Sequence, residues 1–365
     1  MTRLFLLLAI GASLLAAAPA AEGSQRKVPH DFYGVMWDGA ATKAPDAQQG
    51  ALWDLMARSG VEAVRTEFSW AAAQPVGGEP PSFAATDRVV ALAAARDITV
   101  LPIVVRTPAW AARDPSRGFA SPPARTEDYV AYLQALVLRY GPQGSFWLER
   151  RDLPYRPLRE WQVWNEPHLR YYWDGDGDWA SEYAELLRAS NTALKGSDPG
   201  SVTVLAGLAD FVWNHLDRLY GAGIRGQYDV AAINFFTRSP ALVLRGLRYT
   251  RRALRRGGEP RKRLWLTETT WPASKGRVDK PRTGWQRQWE TTDRGMARRL
   301  TSFYALAERF RRRLRLDRVY WYTWASGYQD SDLFDYAGLV HFVDGSFTRQ
   351  RALSAYARSA RRAQG

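Results

Sequence analysis

The feature that most constrains this chain is a regular alternation of short apolar runs with longer stretches of helical spacing. Apolar runs bounded by turn residues indicate buried strands, whereas apolar residues that recur every three or four positions indicate helices. Eight runs qualify as strands: 32–37, 61–66, 99–105, 161–164, 202–208, 229–235, 264–268 and 319–324. Each is separated from the next by at least one helix-like stretch or a long loop.

The predicted helices complete this alternation. They are 48–59, 86–96, 126–140, 180–195, 213–220, an Arg-rich stretch within 245–263, 293–313 and 351–362, and 141–157 is expected to be a longer loop. Strands that alternate with helices favour a parallel sheet, and no glycine-rich phosphate turn follows the first strand. The sequence therefore predicts the α/β class and, within it, a single (β/α)8 TIM barrel rather than a dinucleotide-binding fold.

The length of the chain fits one barrel. It has 365 residues, a barrel of this kind takes about 250 or more, and no linker or repeat is visible, so we expect one catalytic domain over 30–362. Residues 1–20 combine a basic start, an apolar run and small residues, as a secretory signal peptide does. With a short spacer at 21–29, this predicts a secreted or cell-envelope protein, and an uncleaved anchor is the alternative. No later run is long enough to be a stable membrane span.

Composition excludes several classes of site and partner. Cysteine is absent, so there is neither a disulfide framework nor a thiolate nucleophile or metal site. The net charge of +14 permits an anionic partner such as an acidic polysaccharide. However, nine basic residues fall within 245–263, where a solvated helix face explains them, and no nucleic-acid-binding motif accompanies them. We therefore expect no nucleic-acid partner, and a monomer.

Two glutamates end two of the predicted strands. Glu166 follows the apolar run 161–164, and Glu268 ends the run 264–268. The carboxyl ends of all strands of a barrel face one mouth, so the two side chains can meet there. Paired carboxylates are what glycoside hydrolysis requires: a separation of about 5–5.5 Å predicts retention and about 6.5–9.5 Å predicts inversion.

Two close carboxylates cannot both stay charged at low cost, so one should hold its proton near neutral pH. We assign Glu166 as the acid/base, because Asn165 beside it can hydrogen-bond the 2-hydroxyl of a sugar. Glu268 is then the nucleophile. Arg65 and Glu67 end the second predicted strand, and Arg106 follows the third.

With these residues in place, the sequence resembles a family of proteins. Val163-Trp164-Asn165-Glu166-Pro167 and, less specifically, Thr267-Glu268-Thr269-Thr270-Trp271 are similar to motifs of retaining glycoside hydrolases built on this barrel. The chain most resembles the β-xylosidase and exopolysaccharide-hydrolase family and neighbouring cellulase-like proteins, from about residue 32 to 356. The resemblance implies that Arg65 orients the nucleophile and that Trp324 floors the subsite beside the cleaved bond.

The chain departs from this family after strand six. The family has a histidine there and, two residues on, a tyrosine that hydrogen-bonds the nucleophile. Here the two positions are Asn234 and Phe236. Asn234 can still bond a hydroxyl or a carboxylate, but Phe236 has no donor. Glu268 would then lose a hydrogen bond that favours its charged form.

Further candidates lie near the predicted strand ends. Aromatic rings suit the apolar faces of sugars, so we expect several tryptophans to line the cleft, and His168 is expected to lie beside the acid/base. The tryptophans are Trp37, Trp70, Trp110, Trp173, Trp271 and Trp324.

Other kinds of site are not indicated. Asp174, Asp176 and Asp178 have calcium-loop spacing, but Trp179 replaces the glycine that such a loop needs. We interpret them as an acidic loop in which Asp178 caps a helix. The histidines lack metal-ligand spacing and no nucleophile elbow is present, so we expect no metal site and no cofactor.

The sequence therefore predicts a secreted retaining β-glycosidase that hydrolyses O-glycosidic bonds of a polysaccharide or oligosaccharide by double displacement. One alternative is a catalytically weak or inactive glycan-binding barrel, which Asn234 and Phe236 motivate. A weaker one is a basic envelope protein that its arginines hold to acidic polymers.

Overall fold

The protein folds around a closed barrel of eight parallel strands. Its structure is a computed structural model that describes residues 25–278, 286–329 and 332–365. The strands pair in chain order, and the first closes the barrel by pairing with the eighth. They are β1 (Tyr33–Met36), β2 (Ala63–Ser69), β3 (Thr99–Val105), β4 (Glu160–Val163), β5 (Val202–Val204), β6 (Val230–Asn234), β7 (Arg263–Thr269) and β8 (Leu316–Trp321). The predicted (β/α)8 barrel is confirmed.

Helices surround the barrel. They are α1 (Asp46–Arg58), α2 (Trp70–Ala73), α3 (Ala84–Ala94), α4 (Thr126–Tyr140), α5 (Ser145–Glu149), α6 (Trp179–Ser197), α7 (Val212–Gly221), α8 (Pro240–Arg256), α9 (Asp293–Leu314) and α10 (Arg351–Gln364). The short helix α5 lies inside the stretch 141–157 that was predicted as a loop. None of the helices within the described ranges combines the length and apolar character that crossing a membrane requires.

The basic stretch before β7 is only partly a solvated face. On α8, Arg245, Arg248 and Arg252 are exposed, as the sequence predicted. Arg251 instead is 6% exposed and donates hydrogen bonds to the carbonyl oxygens of Leu314 and Lys262. These bonds compensate the burial of its charge and tie α8 to the chain segments that precede β7 and β8.

The barrel interior is filled by side chains of unequal size. Trp265 and Tyr320 are large and project inward, and the small Ala63 and Ala232 lie in the same cluster. Gly34 makes room for Tyr320, since a Cβ atom at position 34 would lie 2.6 Å from the tyrosine ring. The interior is therefore a packed core, and the space for a ligand lies at the mouth.

A small sheet that was not predicted follows β8. It consists of β9 (Ala325–Ser326), β10 (Val340–Val343) and β11 (Ser346–Arg349), with β10 in the middle. Asp344 and Gly345 form the turn between the last two strands, both with positive φ. An Asp-Gly pair between two runs is a known signal for such a hairpin, so the sequence did carry it.

Two parts of the sequence prediction are revised or left open by the structure. The run 202–208 is a regular strand only to Val204, and Gly207 and Leu208 continue it through single bridges to Asn165 and Ile233. The predicted signal peptide at 1–20 lies outside the described residues.

Candidate active site

The two glutamates lie at the mouth of the barrel, as the strand-end argument predicted. Glu268 is the second-last residue of β7, and Glu166 follows β4 by three residues. Trp164 and Glu166 have φ values of 67° and 42°, which non-glycine residues adopt at a cost of about 1–3 kcal/mol each. The backbone amide of Glu166 donates to the carbonyl of Gly207 at 3.0 Å. The backbone thus fixes the direction of the Glu166 side chain.

Gly207 is the residue that lets the two strand ends approach. A Cβ atom at this position would lie 2.8 Å from Asn234 Oδ1 and 3.0 Å from Asn165 Oδ1. Any larger residue would therefore displace one of these two amides, which bond Glu166 and Arg65 respectively.

Arg65 organises the Glu268 side of the site. It is fully buried in β2, and its guanidinium donates to Glu268 Oε1 at 2.6 Å, Asn165 Oδ1 at 2.8 Å and Gln162 Oε1 at 2.7 Å. A planar fork with five donors can serve three acceptors at once. It therefore holds Glu268 and Asn165 in fixed positions relative to each other.

Asn234 connects the two carboxylates. Its Nδ2 donates to Glu166 Oε1 at 2.7 Å, and its side chain lies close enough to Glu268 to lower the pKa of that carboxyl. The hydroxyl of Thr267 donates to Asn234 Oδ1 at 2.7 Å and thereby fixes the orientation of the amide. Arg65 also donates to the carbonyl oxygen of Thr267 at 3.5 Å, so Glu166 and Glu268 belong to a single hydrogen-bonded network.

The two carboxyl groups differ in charge environment. Glu166 and Glu268 are 7% and 8% exposed. Burial raises the pKa of Glu166 to about 8, with a further contribution from the negative charge of Glu268. Burial also raises the pKa of Glu268, but the adjacent Arg65 opposes this rise. At neutral pH Glu166 is therefore the group that holds a proton.

A cavity of about 730 Å³ leads from Glu268 to the surface. Its polar lining includes residues to which the sequence analysis gave no role. Asp38 follows β1, Tyr172 belongs to the loop after β4, and Tyr322 directly follows β8. Asp38 and Tyr322 are single polar residues near strand ends, and that position was the only signal the sequence offered; Tyr172 lies deeper in its loop and carried none.

Glu67 and Arg106 line the same cavity as an ion pair, with 3.1 Å between Arg106 Nη2 and Glu67 Oε1. The guanidinium carbon of Arg106 lies 4.3 Å from the ring centre of Phe119, 5.3 Å from that of Tyr171 and 4.9 Å from that of Tyr172. Arg106 therefore joins the loops that follow β3 and β4.

Most of the predicted aromatic platforms are core residues. Trp70, Trp271 and Trp324 have no exposed surface, which corrects the prediction that their rings line the cleft. Trp70 stacks on Tyr132, and Trp271 donates to the carbonyl of Thr237 at 2.6 Å. A strand-end position does not tell whether a ring points to the mouth or to the surrounding helices, and burial of a large apolar surface favours the helices.

The other predicted tryptophans differ from one another. Trp37 is 1% exposed and reaches the cavity only at its wall. Trp173 is 5% exposed and donates to Glu182. Trp110 is 39% exposed but lies outside the lining of the cavity, edge-on to Trp70.

His168 packs beside a second histidine. Its ring centre lies 4.2 Å from that of His215, and both rings contact Trp179 edge-on. Burial, with a contribution from His215, lowers the pKa of His168 to about 3. His168 is thus a neutral, half-buried group behind the acid/base loop, and it does not line the cavity.

Phe236 confirms the loss of a donor in the loop after β6. Its ring packs 4.9 Å from Phe334 and 5.4 Å from Trp289. It cannot hydrogen-bond Glu268, so Arg65 supplies the hydrogen bond that favours the charged form of this carboxylate, and the nearby Asn234 amide also lowers its pKa.

The acidic loop before α6 has structural roles. Arg117 contacts Asp174 and Asp176, and Asp178 accepts from the amide of Ser181 as the N-cap of α6, as predicted. Among the described residues, no group of three or more acidic, histidine or cysteine side chains is arranged to hold a metal ion.

Comparisons with known proteins rest on the structure. No protein-family model matches the chain, and no curated protein has a similar sequence. A family 39 glycoside hydrolase from Bacteroides cellulosilyticus superposes with a TM-score of 0.63 and 17% identity, over 92% of this chain and 64% of that chain. This chain therefore spans less than two thirds of that relative.

Two further solved structures are similar. A monomeric β-xylosidase from Caulobacter crescentus has a TM-score of 0.63 and 17% identity, over 92% of this chain and 69% of that one. A β-glucosidase from Thermotoga maritima has a TM-score of 0.64 and 10% identity, over 93% of this chain and 100% of that one. The protein therefore has the (β/α)8 fold that these glycoside hydrolases share.

Proposed function

We propose that this protein is a retaining glycoside hydrolase that cuts O-glycosidic bonds of a polysaccharide or oligosaccharide by double displacement. The observation that carries the proposal is the unequal carboxyl pair at the mouth of the barrel. Glu268 is held by Arg65 as an anion, and Glu166 is a buried acid whose pKa is raised to about 8. An acid and an anion in one network are the two groups that this chemistry needs.

In the first step Glu268 attacks the anomeric carbon and forms a covalent bond between its carboxylate oxygen and that carbon. The bond from the anomeric carbon to the leaving oxygen breaks. Glu166 transfers its proton to this oxygen, so the leaving group departs as a neutral alcohol. Arg65 keeps Glu268 oriented throughout.

In the second step Glu166, now a carboxylate, takes a proton from a water molecule. The water oxygen attacks the anomeric carbon and displaces Glu268, which restores both side chains to their starting forms. Two inversions give net retention. Glu166 is close enough to the charge of Glu268 for its pKa to fall once that charge is consumed in the covalent bond, which helps it act as a base.

The site of action is proposed from the sequence. The predicted signal peptide at 1–20 supports export, which would bring the enzyme to polysaccharides outside the cytoplasm. The chemistry needs no cofactor. We propose that the enzyme acts as a monomer, since all the groups named in the mechanism belong to one chain.

Covalent trapping tests the proposal. A panel of activated 2-deoxy-2-fluoro-β-glycosides should inactivate the enzyme, and peptide mass spectrometry should find the sugar on Glu268. Glu268→Ala should abolish both turnover and labelling. Glu127→Ala, at an exposed position of α4, is the matched control and should behave as the unchanged protein. Turnover with label on another residue, or with none, contradicts the assignment.

A second candidate is a glycan-binding barrel without turnover, which the packing of Phe236 in place of a hydrogen-bonding residue favours. This alternative predicts binding on a glycan array without release of reducing ends, and binding that Glu166→Gln leaves unchanged. Release of reducing ends by the unchanged protein, abolished in Glu268→Ala, rejects it.

A further inference from the structure

The proposed reaction gives the two carboxyl groups different neighbours in the substrate. A nucleophile lies against the anomeric carbon of the glycone, the sugar to which it becomes bonded, and the acid lies against the leaving oxygen. The cavity of about 730 Å³ is lined by Glu268 and Asn165, and Glu166 is not among its lining residues. On the proposed mechanism, this cavity therefore receives the glycone.

Asp38 projects into this cavity from the end of β1. Its carboxylate accepts a hydrogen bond from the hydroxyl of Thr323 at Oδ1, and the hydroxyl of Tyr322 lies close enough to lower the pKa of Asp38. Both residues follow β8, so Asp38 is held from one side while it lines the cavity on the other. A carboxylate has about four acceptor positions, and two donors leave some of them for a ligand.

The other charges of the cavity differ from Asp38 in their pairing. Glu268 is paired with Arg65 and Glu67 with Arg106. Among the residues that the structure describes, Asp38 has no arginine or lysine within ion-pair distance. Its charge interacts unfavourably with those of Glu268 and Glu67, so all three carboxyl groups influence one region of the cavity.

The cations of the cavity are exposed or are already engaged by carboxylates. Lys43 and Arg88 are exposed members of its lining, and Arg88 contacts Asp46 at 2.9 Å. Arg65 and Arg106 are each paired with a carboxylate, so Asp38 is the carboxylate of the lining that offers its acceptor positions to a ligand.

We propose that Asp38 is a glycone-binding residue whose carboxylate accepts hydrogen bonds from hydroxyl groups of the sugar, so that the cavity selects a neutral sugar over a uronic acid. The proposal rests on the glycosidase function proposed above and names its substrate class. Sugar hydroxyls are donors that match the unused acceptor positions of Asp38. A uronate would instead bring a second negative charge beside Asp38, which has no paired cation, and like charges repel there.

The first experiment uses the unchanged protein and 4-nitrophenyl β-glycosides. The neutral panel is glucoside, galactoside and xyloside, and the β-glucuronide differs from the glucoside only at C6. We expect kcat/KM for the best neutral glycoside to exceed that for the glucuronide by at least about 100-fold. A glucuronide turned over as fast as the best neutral glycoside overturns the proposal.

The second experiment changes the residue itself. Asp38→Asn removes the charge and keeps the shape, and it should lower kcat/KM for the best neutral glycoside by about 10- to 100-fold, since hydrogen bonds to a charged group are lost. The ratio of glucuronide to neutral rates should rise at least about tenfold. Asp54→Asn is the matched control, because Asp54 lies on α1, pairs with Arg96 and is outside the cavity. Neither quantity should change.

The third experiment separates contact from a merely structural role. Deoxy analogues of the best glycoside each lack one hydroxyl, and the analogue lacking the contacted hydroxyl should lose about 10- to 100-fold in kcat/KM with the unchanged protein. The same analogue should lose less than about threefold with Asp38→Asn, because the interaction is already absent. Equal losses in both proteins overturn the proposal. If Asp38→Asn does not fold, equal rates for all deoxy analogues with the unchanged protein overturn it.

The trapping experiment keeps this inference distinct from the proposed function. If Glu268 of the unchanged protein is not labelled, the glycosidase proposal itself fails. If Glu268 is labelled and Asp38→Asn matches the unchanged protein in kcat/KM and in the glucuronide ratio, only the role of Asp38 is rejected.

Discussion

Two buried arginines lie at opposite ends of the same barrel and are paired in different ways. At the base, Arg318 donates to both oxygens of Glu160 and to Asp31 Oδ2 at 2.8 Å, with its guanidinium carbon 4.2 Å from the ring centre of Trp265. At the mouth, Arg65 donates to one carboxylate and two amide oxygens. A cavity also occurs at the base, of about 360 Å³, so a cavity beside a buried arginine does not by itself identify a reactive site.

The difference lies in which carboxyl groups remain without a cation. At the base both carboxylates are bonded to the same arginine. At the mouth, Gln162 and Asn165 occupy the donors of Arg65 that a second carboxylate would otherwise use. Within the described residues, Glu166 has no arginine or lysine at ion-pair distance and keeps its proton instead. Because two amides occupy donors of Arg65, only Glu268 is paired with this arginine as an anion, and Glu166 remains an acid.

The same substitution should have different effects at Glu268 of the mouth and at Glu160 of the base. Glu268→Gln removes the proposed nucleophile and should lower kcat by about 10⁴-fold or more. Glu160→Gln removes a charge that only Arg318 and its neighbours use, so kcat/KM should stay within about threefold while the midpoint of thermal unfolding falls. Steady-state kinetics and thermal denaturation of both variants check this, and a comparable loss of activity in Glu160→Gln would refute the distinction.

The two arginines allow a matched test. Lysine keeps the charge but cannot serve three acceptors in a plane, so Arg65→Lys should lower kcat/KM by about 100- to 1000-fold. Arg318→Lys should leave kcat/KM within about threefold and lower the free energy of unfolding by about 1–3 kcal/mol. Denaturant titration and initial rates measure both effects, and the comparison fails if the two variants behave alike.

The protonated state of Glu166 predicts the alkaline limb of the pH profile. Because the pKa of Glu166 is raised to about 8 and only the protonated form can donate, kcat/KM should fall about tenfold per pH unit above that value. A 2,4-dinitrophenyl glycoside, whose leaving group needs no proton, should show a much weaker decline. Identical limbs for good and poor leaving groups would mean that another group controls the decline.

The smallest effect should come from replacing Asn234, whose amide lies between the carboxyl groups of Glu166 and Glu268. Asn234 donates to Glu166 and so lowers its pKa relative to burial alone. Asn234→Ala should move the alkaline limb upward by about one pH unit or less and reduce kcat/KM by about tenfold. Asn214→Ala, at a solvent-accessible position of α7, is the control. A downward shift of the limb in Asn234→Ala would contradict the assigned direction.

The barrel and its carboxyl pair were readable from the sequence because both follow from local pattern. The predicted bounds of β3 and α4 agree with the structure at every residue, since each is a long apolar or amphipathic run with clear ends. Glu166 and Glu268 were found because parallel strands bring their carboxyl ends together, which makes a position along the chain informative about space.

Side-chain direction was not readable in the same way. Trp70 and Trp324 were expected at the cleft and are core residues, because a ring near a strand end can turn either inward or toward a helix. Asp38 had no motif around it, and its importance depends on Tyr322 and Thr323, nearly the whole chain away. These residues come together because the barrel closes between β1 and β8, and no local sequence pattern marks that contact.

The small sheet after β8 contributes to the support of the site. The amides of Leu339 and Val340 donate to the carbonyls of Thr323 and Trp324. The hairpin and the residue just before it therefore support Thr323, which donates to Asp38. Insertions or exchanges in the exposed hairpin would move this support and leave β4 and β7 in place. On the proposed function, the hairpin therefore supports the sugar-binding side of the site, whereas the ends of β4 and β7 carry the two glutamates.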